Sequence, residues 1–111
     1  MPAIKIEAAA LRKATEGASR LLKALSNPDR LLLLCHLSEG EQCVSDLEAA
    51  SGIGQPTLSQ QLGVLRAEGL VATRREGKNI HYCIDSPQAL AVMETLYAQF
   101  CGRPAPKARK K

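Results

Sequence analysis

The 111 residues predict a single, mostly α-helical domain of about five helices carrying one two-stranded β-hairpin. The composition is 45% hydrophobic but only 3% aromatic, so leucine and alanine dominate and helix formers outweigh residues that favour sheets. Apolar residues recur at three- and four-residue steps along most of the chain. Between Leu70 and Ile84 that period gives way to an extended one. The length suits one domain with a modest core and is too short for two.

Leu11, Ala14, Ala18, Leu21, Leu22 and Leu25 form the stripe of a first helix whose polar side carries Arg12, Glu16 and Lys23. Ser26-Asn27-Pro28-Asp29 ends it and starts a second. Asn27 suits the N-cap, Pro28 the first helical position, and Asp29 the positive helix end. The second helix runs through Leu31 to Cys35 and reaches about Leu37. Ser38-Glu39-Gly40 reads as a turn, and Val44 to Ala50 as a short helix ended by Ser51-Gly52. Ile53-Gly54-Gln55-Pro56-Thr57 reads as a tight turn, and the helix placed over Gln55 to Glu68, with Pro56 positioned to begin it, carries Leu58, Leu62 and Leu65 on one face. Leu70 to Glu76 and Ile80 to Ile84 flank the turn-forming Gly77-Lys78-Asn79 and predict the hairpin. Asp85-Ser86-Pro87 caps a last helix that Gly102 and Pro104 end. Residues 1–102 are therefore read as the domain, and 103–111 as a basic tail expected to be disordered.

The net charge of +4 belongs to that tail, which holds five of the fifteen basic residues and no acid. Within the domain the basic excess is local, lying between Gln55 and Tyr82. Two short helices joined by a glycine-containing turn, followed by a basic hairpin, predict a winged helix-turn-helix whose second helix enters the major groove of duplex DNA. The expected DNA-contacting residues are Gln55, Pro56, Thr57, Ser59, Gln60, Gln61 and Arg66 on that helix, and Arg74, Arg75 and Lys78 on the hairpin. Gln, Ser and Thr can bond base edges, and cations on a protruding turn suit phosphates or the minor groove.

The first and last helices each carry an apolar stripe wider than a core of this size requires. Leu11, Ala18 and Leu21, with Leu90, Met93, Leu96 and Tyr97, are therefore expected at the interface of a homodimer, the symmetry that two-fold duplex sites call for. The N-terminus has no apolar run of signal-peptide length, and nothing approaches the roughly 20 apolar residues of a membrane span, so a soluble cytoplasmic protein is expected. In a reducing compartment the four cysteines are core residues, metal ligands or redox-active thiols rather than permanent bridges.

Three stretches in order, Ala24-Leu25-Ser26-Asn27-Pro28-Asp29-Arg30-Leu31, Gln55-Pro56-Thr57-Leu58-Ser59-Gln60-Gln61-Leu62 and Leu65-Arg66-Ala67-Glu68-Gly69-Leu70-Val71, resemble the ArsR (ArsR/SmtB) family of winged-helix repressors. The resemblance runs nearly to Gly102 and implies a homodimer built on the first and last helices, with an effector that releases operator DNA. Effectors in the family are often metals. The arsenite and cadmium type resembles Glu-Leu-Cys-Val-Cys-Asp-Leu, where this chain reads Glu41-Gln42-Cys43-Val44-Ser45-Asp46-Leu47 and so lacks the second thiolate. The zinc type needs Asp, His and Glu along the last helix, which here offers only Glu94. A lone thiolate is a poor soft-metal site, so no metal and no cofactor are expected.

Cys35 and Cys101, in the contexts Leu34-Cys35-His36-Leu37 and Tyr97-Ala98-Gln99-Phe100-Cys101, resemble the dithiol pair of the BigR/SqrR-type persulfide-sensing branch. That resemblance implies a repressor whose covalent effector is a persulfide or polysulfide and whose thiols close into a disulfide or polysulfide bridge. Cys101, with Arg103 nearby, is expected to be attacked first and Cys35 to resolve. Cys43 and Cys83 read as small half-buried residues and His36 as a packing or surface group, while His81 could touch phosphate. A thiol enzyme is disfavoured because no Cys-x-x-Cys motif occurs. A metal-responsive repressor and a thiol-independent winged-helix regulator stay open.

Overall fold

The structure, a computed structural model, describes residues 7–101; the expected basic tail lies outside the described residues. Five helices and three strands follow in the order α1 (Ala8–Leu25), α2 (Pro28–Leu37), β1 (Gln42–Cys43), α3 (Val44–Ser51), α4 (Thr57–Ala67), β2 (Val71–Glu76), β3 (Asn79–Ile84) and α5 (Pro87–Phe100). The helix starts are built as the sequence suggests. The Asn27 side chain accepts from the Arg30 N–H at 3.0 Å, Ser86 accepts from the Ala89 N–H at 3.1 Å, and a proline follows each cap.

The core is a leucine-rich cluster from all five helices and the root of the hairpin. Leu33 and Leu34 of α2, Leu47 of α3, and Leu58, Leu62 and Leu65 of α4 are fully buried. Leu70, Val71, Ala89 and Met93 close the cluster. The α4 stripe therefore packs as its spacing predicts, and it fixes the roll of that helix.

The sheet corrects the expected two strands to three. β1 pairs antiparallel with β3 through Gln42↔Tyr82 and Cys43↔His81, giving the order β1-β3-β2. Two residues are too few to show an alternating pattern, so the strand exists only because β3 offers it a free edge. The hairpin turn is also tighter than expected. Glu76 pairs with Asn79, leaving Gly77-Lys78 as a two-residue loop with a positive φ of 63° at Gly77, as a type II′ turn demands of its first central residue.

Two expectations on the helices also shift. α4 begins at Thr57 and ends at Ala67, with Pro56 and Glu68 as its flanking caps, so Gln55 belongs to the turn. Met93, expected at a dimer interface, is buried in the chain's own core, because its face of α5 packs on the leucine cluster. α1 itself is buried only at Ala24 and Leu25, and every residue from Ala8 to Arg20 is exposed, which leaves the expected interface residues Leu11 and Ala18 uncovered.

Candidate nucleic-acid interface

α3 and α4 are set by a short, well-defined turn. Gly52 ends α3 in the left-handed conformation with φ 77°, where a side chain would be strained. The Ile53 N–H then donates to the Ser51 Oγ at 3.1 Å, and Ile53 inserts into the core. With the leucine face of α4 inward, Ser59, Gln60 and Arg66 point to solvent, while Thr57 and Gln61 are half-buried.

Two of the expected base-reading residues have structural partners. The Gln55 Oε1 accepts from the Ser59 N–H at 3.1 Å, satisfying a donor of the first turn of α4. The Gln61 Oε1 accepts from the Arg30 Nη1 at 3.0 Å. Arg30, whose importance the sequence does not reveal, also donates from Nε to the Ala24 carbonyl at 2.7 Å and from Nη2 to the Lys23 carbonyl at 3.3 Å. It joins the end of α1 to the middle of α4. A second link is the ion pair of Arg20 Nε with Glu68 Oε1 at 2.7 Å.

The register of the hairpin divides its cations between two faces. Val71, Thr73 and Arg75 share one face with Ile80, Tyr82 and Ile84. This face packs on the core at its root and exposes Arg75 and Ile80 near the tip. Ala72, Arg74 and Glu76 share the other with Asn79, His81 and Cys83. There the Arg74 guanidinium grips Glu41 with two donors of one edge, Nη2 to Oε1 at 2.7 Å and Nε to Oε2 at 2.8 Å, and its Nη1 reaches the Glu76 Oε1 at 3.3 Å. The hydrogen bond from Arg74 holds the Glu41 carboxyl below its ordinary value. Among the described residues Arg66, Arg75 and Lys78 form no ion pair.

All four cysteines are free thiols. Cys35 is half-buried on α2 against the core, and Cys101 is exposed as the C-cap of α5. Burial pushes the Cys35 thiol up, and the nearby charges of Cys101 and Glu39 add to the shift. Cys43 Sγ lies 3.2 Å from Ser45 Oγ, at the position where the arsenite type would have its second thiolate. Among the described residues no three His, Cys, Asp or Glu side chains converge as a metal site, and no helix is long and apolar enough to cross a membrane.

This helix-turn-helix, with its three-stranded wing, has close relatives of known kind. Residues 27–73 match the family model of bacterial regulatory proteins of the arsR family. A biofilm growth-associated repressor of Agrobacterium fabrum is 54% identical over 81% of this chain and 76% of its own length. The chain belongs to the ArsR family. The crystal structure of the transcriptional repressor BigR from Xylella fastidiosa superposes with a TM-score of 0.80 at 48% identity, covering 86% of this chain and 98% of that one. A homodimeric winged helix-turn-helix DNA-binding domain from Mycobacterium bovis, solved in solution, superposes at 0.70 with 28% identity, covering 86% and 89%. This ArsR-family chain is thus a regulatory protein and not an enzyme.

Proposed function

We propose that the chain is a homodimeric transcriptional repressor that holds double-stranded operator DNA through α4 and the wing, and releases it when a persulfide bridges Cys35 and Cys101. The observation that carries the DNA reading is the exposed polar face of α4, locked outward by Leu58, Leu62 and Leu65 and flanked by a wing with cations on both faces. Relatives described as repressors support the direction of control.

The dimer is supported by surface left uncovered. Leu11 is 46% exposed, Leu22 60% and Phe100 82%. A groove of about 600 Å³ also lies between α1, the end of α4 and α5, lined by Ala14, Ala18, Leu21, Leu70 and Val92. Such an apolar surface on two helices suits burial against its own copy.

The sensing reading rests on the resemblance of the Cys35 and Cys101 contexts and on the different environments of the two thiols. The exposed Cys101 thiolate attacks the outer sulfur of a persulfide R–S–SH, forming Cys101–S–SH and releasing R–S⁻. The Cys35 thiolate then attacks the inner sulfur, closing the disulfide and expelling HS⁻. The two thiols lose two electrons and the persulfide gains them. If Cys35 attacks a second persulfide first, the bridge retains one further sulfur. A disulfide needs Cα atoms within about 7 Å, and each added sulfur extends the reach by about 2 Å, so the separation in the dimer selects the product.

The test is duplex binding by the reduced protein with and without an organic persulfide, with mass spectrometry of the Cys35 and Cys101 peptides. Lost affinity together with a cross-link bearing whole extra sulfur atoms, or none, is the expected result. If Cys35→Ser and Cys101→Ser respond to persulfide as the unaltered protein does, the sensing reading fails. A reduced protein that selects no duplex from a random library ends the DNA reading as well.

A further inference from the structure

The three wing cations read from the sequence as one basic tip, yet their surroundings differ. Arg75 shares its face with the exposed Ile80, and Lys78 sits in the hairpin loop. Arg74 points the other way, onto the face it shares with His81 and Cys83 of β3, the strand whose far edge pairs with β1. Its fork closes on Glu41, the residue immediately before β1, with contacts of 2.7 and 2.8 Å. β1 runs without interruption into α3, since Cys43 is both its last residue and the N-cap of that helix.

A bidentate guanidinium–carboxylate contact fixes orientation as well as distance, because both groups are planar. β1 contributes only two paired residues to the sheet, a slight hold for the hinge between wing and helix-turn-helix. The Arg74–Glu41 contact reinforces the wing at that hinge and occupies donors that a phosphate would need. Glu41 also brings a negative charge to the wing, which would oppose DNA if its only role were electrostatic.

We propose that Arg74 is a positioning residue: with Glu41 it forms a latch that sets the angle of the wing against the helix-turn-helix, leaving phosphate contact on the wing to Arg75 and Lys78. The inference rests on the DNA-binding reading above and adds a division of labour within it.

The two roles for Arg74 predict opposite signs. The full chain is first used to enrich a duplex from a random library, and that duplex is the probe for every variant. For a latch, Glu41→Gln weakens binding a few-fold although it removes a negative charge, and Arg74→Lys weakens it similarly although it keeps the positive one. The slope of log affinity against log salt stays unchanged in both, whereas Arg75→Gln lowers it by about one. Amide exchange in β2 and β3 quickens in Glu41→Gln. Tighter or equal binding by Glu41→Gln, or a slope lowered by about one in Arg74→Gln, overturns the latch. Should Glu41→Gln lose its helical circular dichroism, Arg74→Lys decides alone, and affinity equal to the unaltered protein overturns the proposal. A chain that enriches no duplex at all defeats the DNA-binding reading itself before any variant is made, which separates that failure from failure of the latch.

Discussion

Cys35 lies in α2 and Cys101 at the C-cap of α5, and one thiol is half-buried while the other is exposed. Burial raises Cys35 above the ordinary thiol value of 9.0, and the charge of Cys101 raises it further. Iodoacetamide at neutral pH should therefore label Cys101 well before Cys35, as peptide mapping would show; faster labelling of Cys35 would reverse the assigned order of attack. The raised value also has a stability consequence with a definite sign. The fold binds this proton more tightly than the unfolded chain does, so its contribution is complete below the ordinary value and is lost as pH rises through the folded one. Denaturation midpoints should fall less steeply above pH 9.0 in Cys35→Ser than in the unaltered protein. Residue-scale chemistry of this kind was only partly legible in the sequence. Leu58, Leu62 and Leu65 announced their burial by helical spacing, but the partner of Arg74 lies 33 residues away across a sheet. Nothing local marks Glu41 as the acid that would meet it.

The caps, turns and strands show the same division at a larger scale. Where one residue type solves a local geometric problem, the sequence is explicit. Asn27 and Ser86 cap the helices they were expected to cap, and Gly77 takes the positive φ of the hairpin turn. Asn27→Ala should cost about 1 kcal/mol in chemical denaturation, and an unchanged midpoint would mean that water replaces the cap. Gly77→Val should cost about 1–2 kcal/mol through backbone strain alone, since nothing lies within 4 Å of the position of its Cβ. A crystal structure of that variant with an unaltered turn and an undiminished midpoint would contradict this. β1 was illegible for the opposite reason. It is a strand because of what lies beside it, and a two-residue segment carries no period of its own. The two-residue offset at the start of α4 and the one-residue offset at its end are of the size by which helix ends ordinarily differ.

For the whole molecule, the uncovered face of α1 is the largest fact that one chain leaves unresolved. Its residues from Ala8 to Arg20 are all exposed, while Met93, an expected interface residue, turned out to serve the monomer core. The sequence overcounted the α5 stripe because apolar spacing does not distinguish a residue facing its own core from one facing a second copy. Leu11, an expected interface residue, is 46% exposed and free of the chain's own core. Leu11→Glu should yield a folded monomer by sedimentation velocity, with weakened binding to a two-fold duplex; a persisting dimer would place the contact elsewhere.

Arg30 and Arg20 give that dimer a second significance. The first ties the carbonyl end of α1 to Gln61 at mid-α4, and the second joins α1 to Glu68 at the close of α4. The helix that would meet the partner and the helix that would enter the groove are thereby bolted together at two points, outside the leucine core. In the proposed dimer a pair of such subunits would work like calipers. The crossing of the two α1 helices would set the gap between the jaws, and any chemistry that changed the crossing would re-gauge the protein against the pitch of its DNA.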